Sequence, residues 1–135
     1  MALLQIAEPG AAPESHTERQ IGVGIDLGTT NSLIAHFDGA DLNVLADDTG
    51  QASLPSVVYY GASQTLVGAD AERYASAEPG HTIASAKRML GHSREEFEDD
   101  PYIQLAAGEG LAFATDAGAK TPVEVSSAIL GALKY

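Results

Sequence analysis

Ile21-Gly22-Val23-Gly24-Ile25-Asp26-Leu27-Gly28-Thr29-Thr30-Asn31-Ser32, followed by Leu33 to Phe37, decides how this chain folds. Residues 21–25 alternate apolar side chains with glycine. That pattern predicts a strand whose glycine side lies close to another backbone or a ligand. Asp26 to Ser32 is small and hydroxyl-rich, a turn by composition, and Leu33 to Phe37 resumes as a strand. Asp38-Gly39-Ala40-Asp41 predicts a second turn, and Leu42 to Leu45 a third strand of period two. Strand, polar turn, strand, turn, strand is an antiparallel opening, not a strand-helix-strand unit. Two common phosphate loops are thereby excluded. The dinucleotide fingerprint needs a third glycine where Leu27 stands, and a helix after it. The Walker A loop needs a lysine after its last glycine, and none follows Gly28.

The turn nevertheless carries chemistry suited to phosphate. A turn between strands exposes backbone N–H groups. Gly28 lets a ligand approach them, and Thr29, Thr30 and Asn31 add side-chain donors. Asp26 is an acid among those donors. Beside a polyphosphate it is tolerable only with a cation between, which points to Mg²⁺ held through its waters. A plain hairpin turn with capping hydroxyls uses the same residues.

Further along, Leu54-Pro55-Ser56-Val57-Val58-Tyr59-Tyr60 predicts one strand with proline near its start, and Thr65 to Val67 a short strand ending at Gly68. Ala69 to Glu78 predicts a helix stopped by Pro79-Gly80, and Thr82 to Leu90 a second helix with Gly91 after it. Lys87-Arg88 stands out because residues 20–72 hold no lysine or arginine. Cations near a helix C-terminus are favourable in any case, so Lys87 is either catalytic or a capping charge. Ser93-Arg94-Glu95-Glu96 fits a capping box opening a short helix. Five of the six residues Glu95–Asp100 are acidic and read as a solvated face. Residues 105–120 predict a loop or short hairpin. Thr121-Pro122-Val123-Glu124 opens a last helix, with Val125, Ala128, Ile129, Ala132 and Leu133 on one stripe. No glycine or proline closes that stripe before Tyr135, so the chain is expected to be the N-terminal part of a longer protein.

The 135 residues allow one domain or a piece of one, and 44% apolar with 19% charged residues is a globular composition. The Pro-rich, polar residues 1–19 are expected to be a flexible tail, with the folded body beginning near Gln20. A formal net charge of -12 argues against nucleic acid and anionic membrane as partners. No cysteine excludes disulfides, Cys-ligated zinc and a resident iron–sulfur cluster. There is no apolar run of membrane-spanning length and no signal peptide, so a cytoplasmic location is expected. His16, His36, His81 and His92 share no metal-ligand spacing, and Ser32 and Ser56 have no identified base.

Taken together, these motifs resemble the heat-shock-70 chaperone family. Val23 to Ser32 is similar to its first phosphate loop. Leu54 to Val58, Val67-Gly68-Ala69-Asp70-Ala71 and Ala86-Lys87-Arg88-Met89-Leu90-Gly91 follow in the family's order. The opening Met1-Ala2-Leu3-Leu4-Gln5-Ile6, with Glu8-Pro9-Gly10, resembles the branch specialised for iron–sulfur cluster assembly. The resemblance implies an α/β, actin-like and hexokinase-like (ribonuclease H-like) ATPase domain, with residues 20–135 as part of its first lobe. In that lobe the first three strands would belong to a central sheet, and residues near 54–115 to a smaller outer subdomain. Gly28, Thr29, Thr30 and Asn31 would cradle the β- and γ-phosphates of ATP, Asp26 would hold Mg²⁺ through water, and Lys87 would reach the γ-phosphate. K⁺ is a further cation that the resemblance allows. Implied partners are a J-type co-chaperone and an iron–sulfur scaffold protein as client. One departure is His92, where the family commonly has arginine. The peptide-binding domain and second phosphate loop would lie beyond Tyr135, so the chain alone is expected to be inactive. A sugar or acetate kinase of the same superfamily is the alternative. Such kinases share the Asp-x-Gly-x-Thr loop but lack the combined Pro-Ser-Val and Lys-Arg motifs.

Overall fold

A computed structural model describes residues 21–134. The expected tail and the opening segment Met1–Ile6 lie outside them. Strand β1 (Gly22–Leu27) pairs antiparallel with β2 (Asn31–Phe37), and β2 pairs with β3 (Leu42–Val44). The expected antiparallel opening is therefore present, with its first turn tightened to Gly28–Thr30. The register sets Val23 opposite His36, Ile25 opposite Ile34 and Leu27 opposite Ser32, so these side chains share one face. Gly22, Gly24 and Asp26 share the other with Phe37, Ala35 and Leu33. A Cβ on Gly24 would meet nothing within 4 Å, so of the two expected neighbours, a backbone or a ligand, no backbone closes on Gly24 among the described residues.

The strand expected over Leu54–Tyr60 is two strands. β4 (Leu54–Pro55) pairs with β2, whereas β5 (Val57–Tyr60) joins a second sheet between β6 (Thr65–Val67) and β7 (Thr82–Ala84). Ser56 is the break between the sheets. β5 is buried on both faces. Val58 and Tyr60 point into the main core with Ile83, Ala86, Met89, Phe113, Val125 and Ile129, while Val57 and Tyr59 pack with Ala71 on the opposite side. Each Val, Ile, Phe or Met side chain among them, removed from water, stabilises the fold by about 1.5–3 kcal/mol.

Two expected helices are corrected. The first runs only Ala69–Glu72 (α1); the chain then tightens into turns, with Tyr74 N–H bonded to the Ala71 carbonyl and Ala75 N–H to the Glu72 carbonyl, each at 3.1 Å, and Tyr74 stacks on Tyr59 at 4.1 Å between ring centroids. The second, expected over Thr82–Leu90, is strand β7, then Ser85 in the left-handed region (φ 57°), then a single 3-10 turn over Ala86–Met89. Pairing of Thr82, Ile83 and Ala84 with Tyr59, Val58 and Val57 wins over local helix preference. Gly91 does take a positive φ, of 76°. Ser93 opens a 3-10 turn, Arg94–Glu96, through the expected capping box. Its backbone N–H donates to Glu96 Oε2 at 2.8 Å. Residues 113–120 form a hairpin of β8 (Phe113–Thr115) and β9 (Gly118–Lys120). The last helix, α2 (Pro122–Lys134), starts as expected: Thr121 N–H donates to Glu124 Oε2 at 2.8 Å, and Glu124 N–H to Thr121 Oγ1 at 3.2 Å. It buries Val125 and Ile129 against β5 and the Ala86–Met89 turn.

The core leaves a titration signature. The Tyr59 hydroxyl donates to Glu78 Oε2 at 2.8 Å, and this bond, with burial, pushes its pKa up to about 12. Burial, then the charge of Glu124, pushes Tyr60 up to about 12 as well. Unfolded phenols ionise near 10. The stability from both shifts is thus complete below about pH 10 and lost as pH rises to about 12. A phenolate absorbance titration is expected to show these two tyrosines ionising near pH 12, well above an unfolded phenol. Ionisation of every tyrosine near pH 10 in the folded chain would contradict the packing.

Candidate functional site

The Gly28–Thr30 bend is tied down by Ser56. The Ser56 hydroxyl donates to the Gly28 carbonyl at 2.9 Å, and the Ser56 N–H donates to the Thr30 carbonyl at 2.8 Å. A second hydroxyl, Ser32, lies 2.8 Å from Ser56 Oγ. Ser56 has one hydroxyl proton, already given to Gly28, so Ser32 is the donor of that pair. Both serines are buried, at 1% and 2% exposure. Thus the turn between β1 and β2 and the break between β4 and β5, distant in sequence, form one knot. Gly28 is required at its tightest point: a Cβ there would run into the Asn31 carbonyl oxygen.

Asp26, Thr29, Thr30 and Asn31 are all exposed. Their side chains make no hydrogen bond among the described residues. Alternation puts Asp26 and Asn31 on the sheet face opposite Leu27 and Ser32, which turn toward the core. The bend therefore offers solvent two hydroxyls, an amide and a carboxylate beside a backbone that has no room for a Cβ. That donor set suits phosphate oxygens, with the acid placed to meet a hydrated cation. Among the described residues no three acidic or histidine side chains cluster to hold a metal.

Lys87 is carried by a different element. β7 runs antiparallel to β5 with Ala84 opposite Val57, the residue next to Ser56. Ser85 then reverses the chain into the 3-10 turn that carries Lys87. Three residues per turn stack Ala86 on Met89, and both are buried, at 1% and 2% exposure. Lys87 and Arg88 face solvent as a consequence. Arg88 sits 3.7 Å from Asp100, whereas the Lys87 side chain makes no hydrogen bond or ion pair among the described residues. The structure thus gathers Asp26, Gly28, Thr29, Thr30 and Asn31 on one hairpin and shows no bond from Lys87 to them. His92, the departure noted above, contacts Glu96 Oε2 at 3.1 Å through Nδ1. Sequence reasoning passed over Ser56 and Ser32 as members of an abundant type. The available signal was a small polar residue inside an otherwise apolar run.

Comparison with known proteins defines the class. The family model described as "Hsp70 protein" matches residues 22–135, and the chain belongs to the Hsp70 family. It is 49% identical over 140 residues to a "Chaperone protein HscA homolog" of Actinobacillus pleuropneumoniae serotype 5b (strain L20), covering 98% of this chain and 22% of that protein. It is 49% identical over 138 residues to a protein of the same name from Chromobacterium violaceum, covering 99% and 22%. It is 46% identical over 138 residues to "Chaperone protein HscA" of Enterobacter sp. (strain 638), covering 98% and 22%. The chain thus spans about a fifth of the length of these relatives and aligns with them almost throughout. The kinase alternative is not favoured by these matches. Among the described residues no helix is long and apolar enough to cross a membrane.

Proposed function

We propose that this chain supplies the start of the nucleotide-binding domain of an ATP-hydrolysing chaperone that serves iron–sulfur cluster assembly. The domain is actin-like and hexokinase-like, with residues 20–135 its opening part and residues 1–19 a tail before it. The observation that carries the reading is the Gly28–Asn31 bend, locked to Ser56 and presenting unused donors beside Asp26. The HscA name that the relatives share supports the chaperone role. The partners in this reading are a J-type co-chaperone and an iron–sulfur scaffold protein, and its location is the cytoplasm.

In this reading Gly28, Thr29, Thr30 and Asn31 hold the β- and γ-phosphates, and Asp26 orients a hydrated Mg²⁺, with K⁺ as a second cation. When bound, the metal supplies charge neutralisation between phosphate oxygens. Lys87 adds its ammonium at the γ-phosphate and helps orient the attacking water. Phosphoryl transfer asks for positioning and charge stabilisation more than covalent chemistry, and these residues provide both. The test is the fate of the phosphoryl group in the full-length protein. Release of inorganic phosphate from Mg·ATP, stimulated by a J-type protein, is expected. Transfer to a metabolite hydroxyl or carboxylate would make the protein a kinase.

A further inference from the structure

We infer that Ser56 is a positioning residue that aims the amide groups of the phosphate bend outward. The inference rests on the phosphate role proposed above for that bend. A peptide unit is planar and trans, so a carbonyl and the N–H that follows it point in opposite directions. Ser56 pulls two carbonyls of the bend inward: Gly28 through its hydroxyl at 2.9 Å and Thr30 through its N–H at 2.8 Å. The N–H groups of Thr29 and Asn31, which share those two peptide planes, are thereby turned away from Ser56. The Thr29 N–H is bonded to nothing among the described residues, so it is available to an anion. Proline before Ser56 stiffens the approach, since its φ is preset. Ser32 donates to Ser56 Oγ and so leaves the Ser56 proton one acceptor, the Gly28 carbonyl. The result is a one-way chain from the Ser32 hydroxyl through the Ser56 hydroxyl to Gly28. It makes the orientation of the bend depend on a residue that touches no ligand.

The same arrangement ties the bend to the second sheet. Val57, next to Ser56, accepts from the Gly68 N–H at 2.9 Å and lies opposite Ala84, three residues before Lys87. Movement of Ser56 would therefore shift the bend and the approach to Lys87 together.

The experiment compares affinities for Mg·ATP and for adenosine, with melting temperature, in the full-length protein. Ser56→Ala is expected to lower ATP affinity about tenfold, the worth of one well-placed hydrogen bond, and to leave adenosine affinity unchanged. Ser32→Ala removes an equally buried oxygen but spares the Ser56–Gly28 bond, so less than a threefold loss is expected. Ser56→Thr keeps the hydroxyl and should recover the ATP-to-adenosine ratio. Ser56→Cys, a weaker donor, should fall between, and this pair carries the test if Ser56→Ala does not fold. Equal ATP losses in Ser32→Ala and Ser56→Ala, or a parallel fall in adenosine affinity, would reduce Ser56 to packing and overturn the inference. A wild-type protein that binds ATP no better than adenosine would instead remove the phosphate role itself, and the inference with it.

Discussion

Lys87→Met, in the full-length protein, is expected to keep Mg·ATP bound and to hydrolyse it about 10²–10³-fold more slowly, the usual loss when one preorganised charge is taken from a transition state. The expectation comes from how the fold presents the ammonium. Ala86 and Met89 anchor the turn in the core, Arg88 is tethered near Asp100, and the Lys87 side chain is left exposed without a partner among the described residues. A cation kept free of internal ion pairs suits a role toward a bound anion. Methionine keeps the unbranched stem and removes only the charge, so the melting temperature should barely move. Single-turnover hydrolysis and equilibrium nucleotide binding separate the two effects. Hydrolysis at the wild-type rate would show that Lys87 is only a surface cation.

Gly28→Ala is expected to lower Mg·ATP affinity by about 10²-fold, the combined worth of about two well-placed hydrogen bonds. The added methyl would collide with the Asn31 carbonyl oxygen, which is backbone and cannot swing aside as a side chain would. Relief requires opening the bend, and opening it breaks the Ser56 bonds to Gly28 and Thr30 together. The loss should therefore exceed that of Ser56→Ala, which removes only one of them. Nucleotide titration of both variants checks the ranking. An affinity for Gly28→Ala within threefold of wild type would mean that the bend is not where phosphate is held.

Much of the topology was legible because its signals are local. Period-two alternation and the Asp38-Gly39 turn mark β1 to β3, and the Thr121–Glu124 capping box marks the start of α2. The bend at Gly28–Asn31 was legible too, since turn residues and phosphate donors are the same chemical types. Where the reading failed, a distant partner overruled a local preference. Ala69–Glu78 looks helical, yet turns follow Glu72 and Tyr74 stacks on Tyr59, and Thr82–Ala84 looks helical until β5 claims it as a strand.

From its own residue pattern the chain determined an antiparallel hairpin, a hydroxyl-bearing bend with an acid beside it, and a basic pair further on. Tertiary structure alone decided how those parts are held. A continuous α-helix over residues 82–90 would have put Lys87 on the face of Ile83, toward the core, since residues four apart share a helix side. The strand and 3-10 turn put Ala86 and Met89 inward in its place. Likewise the apolar run around Ser56 marks it as an unusual polar residue but does not say what it bonds, because its hydrogen-bond partners stand 24 and 28 residues away. Short-range sterics and periodicity are written along the chain, whereas the direction of a hydroxyl proton is set only when folding brings its acceptor within reach.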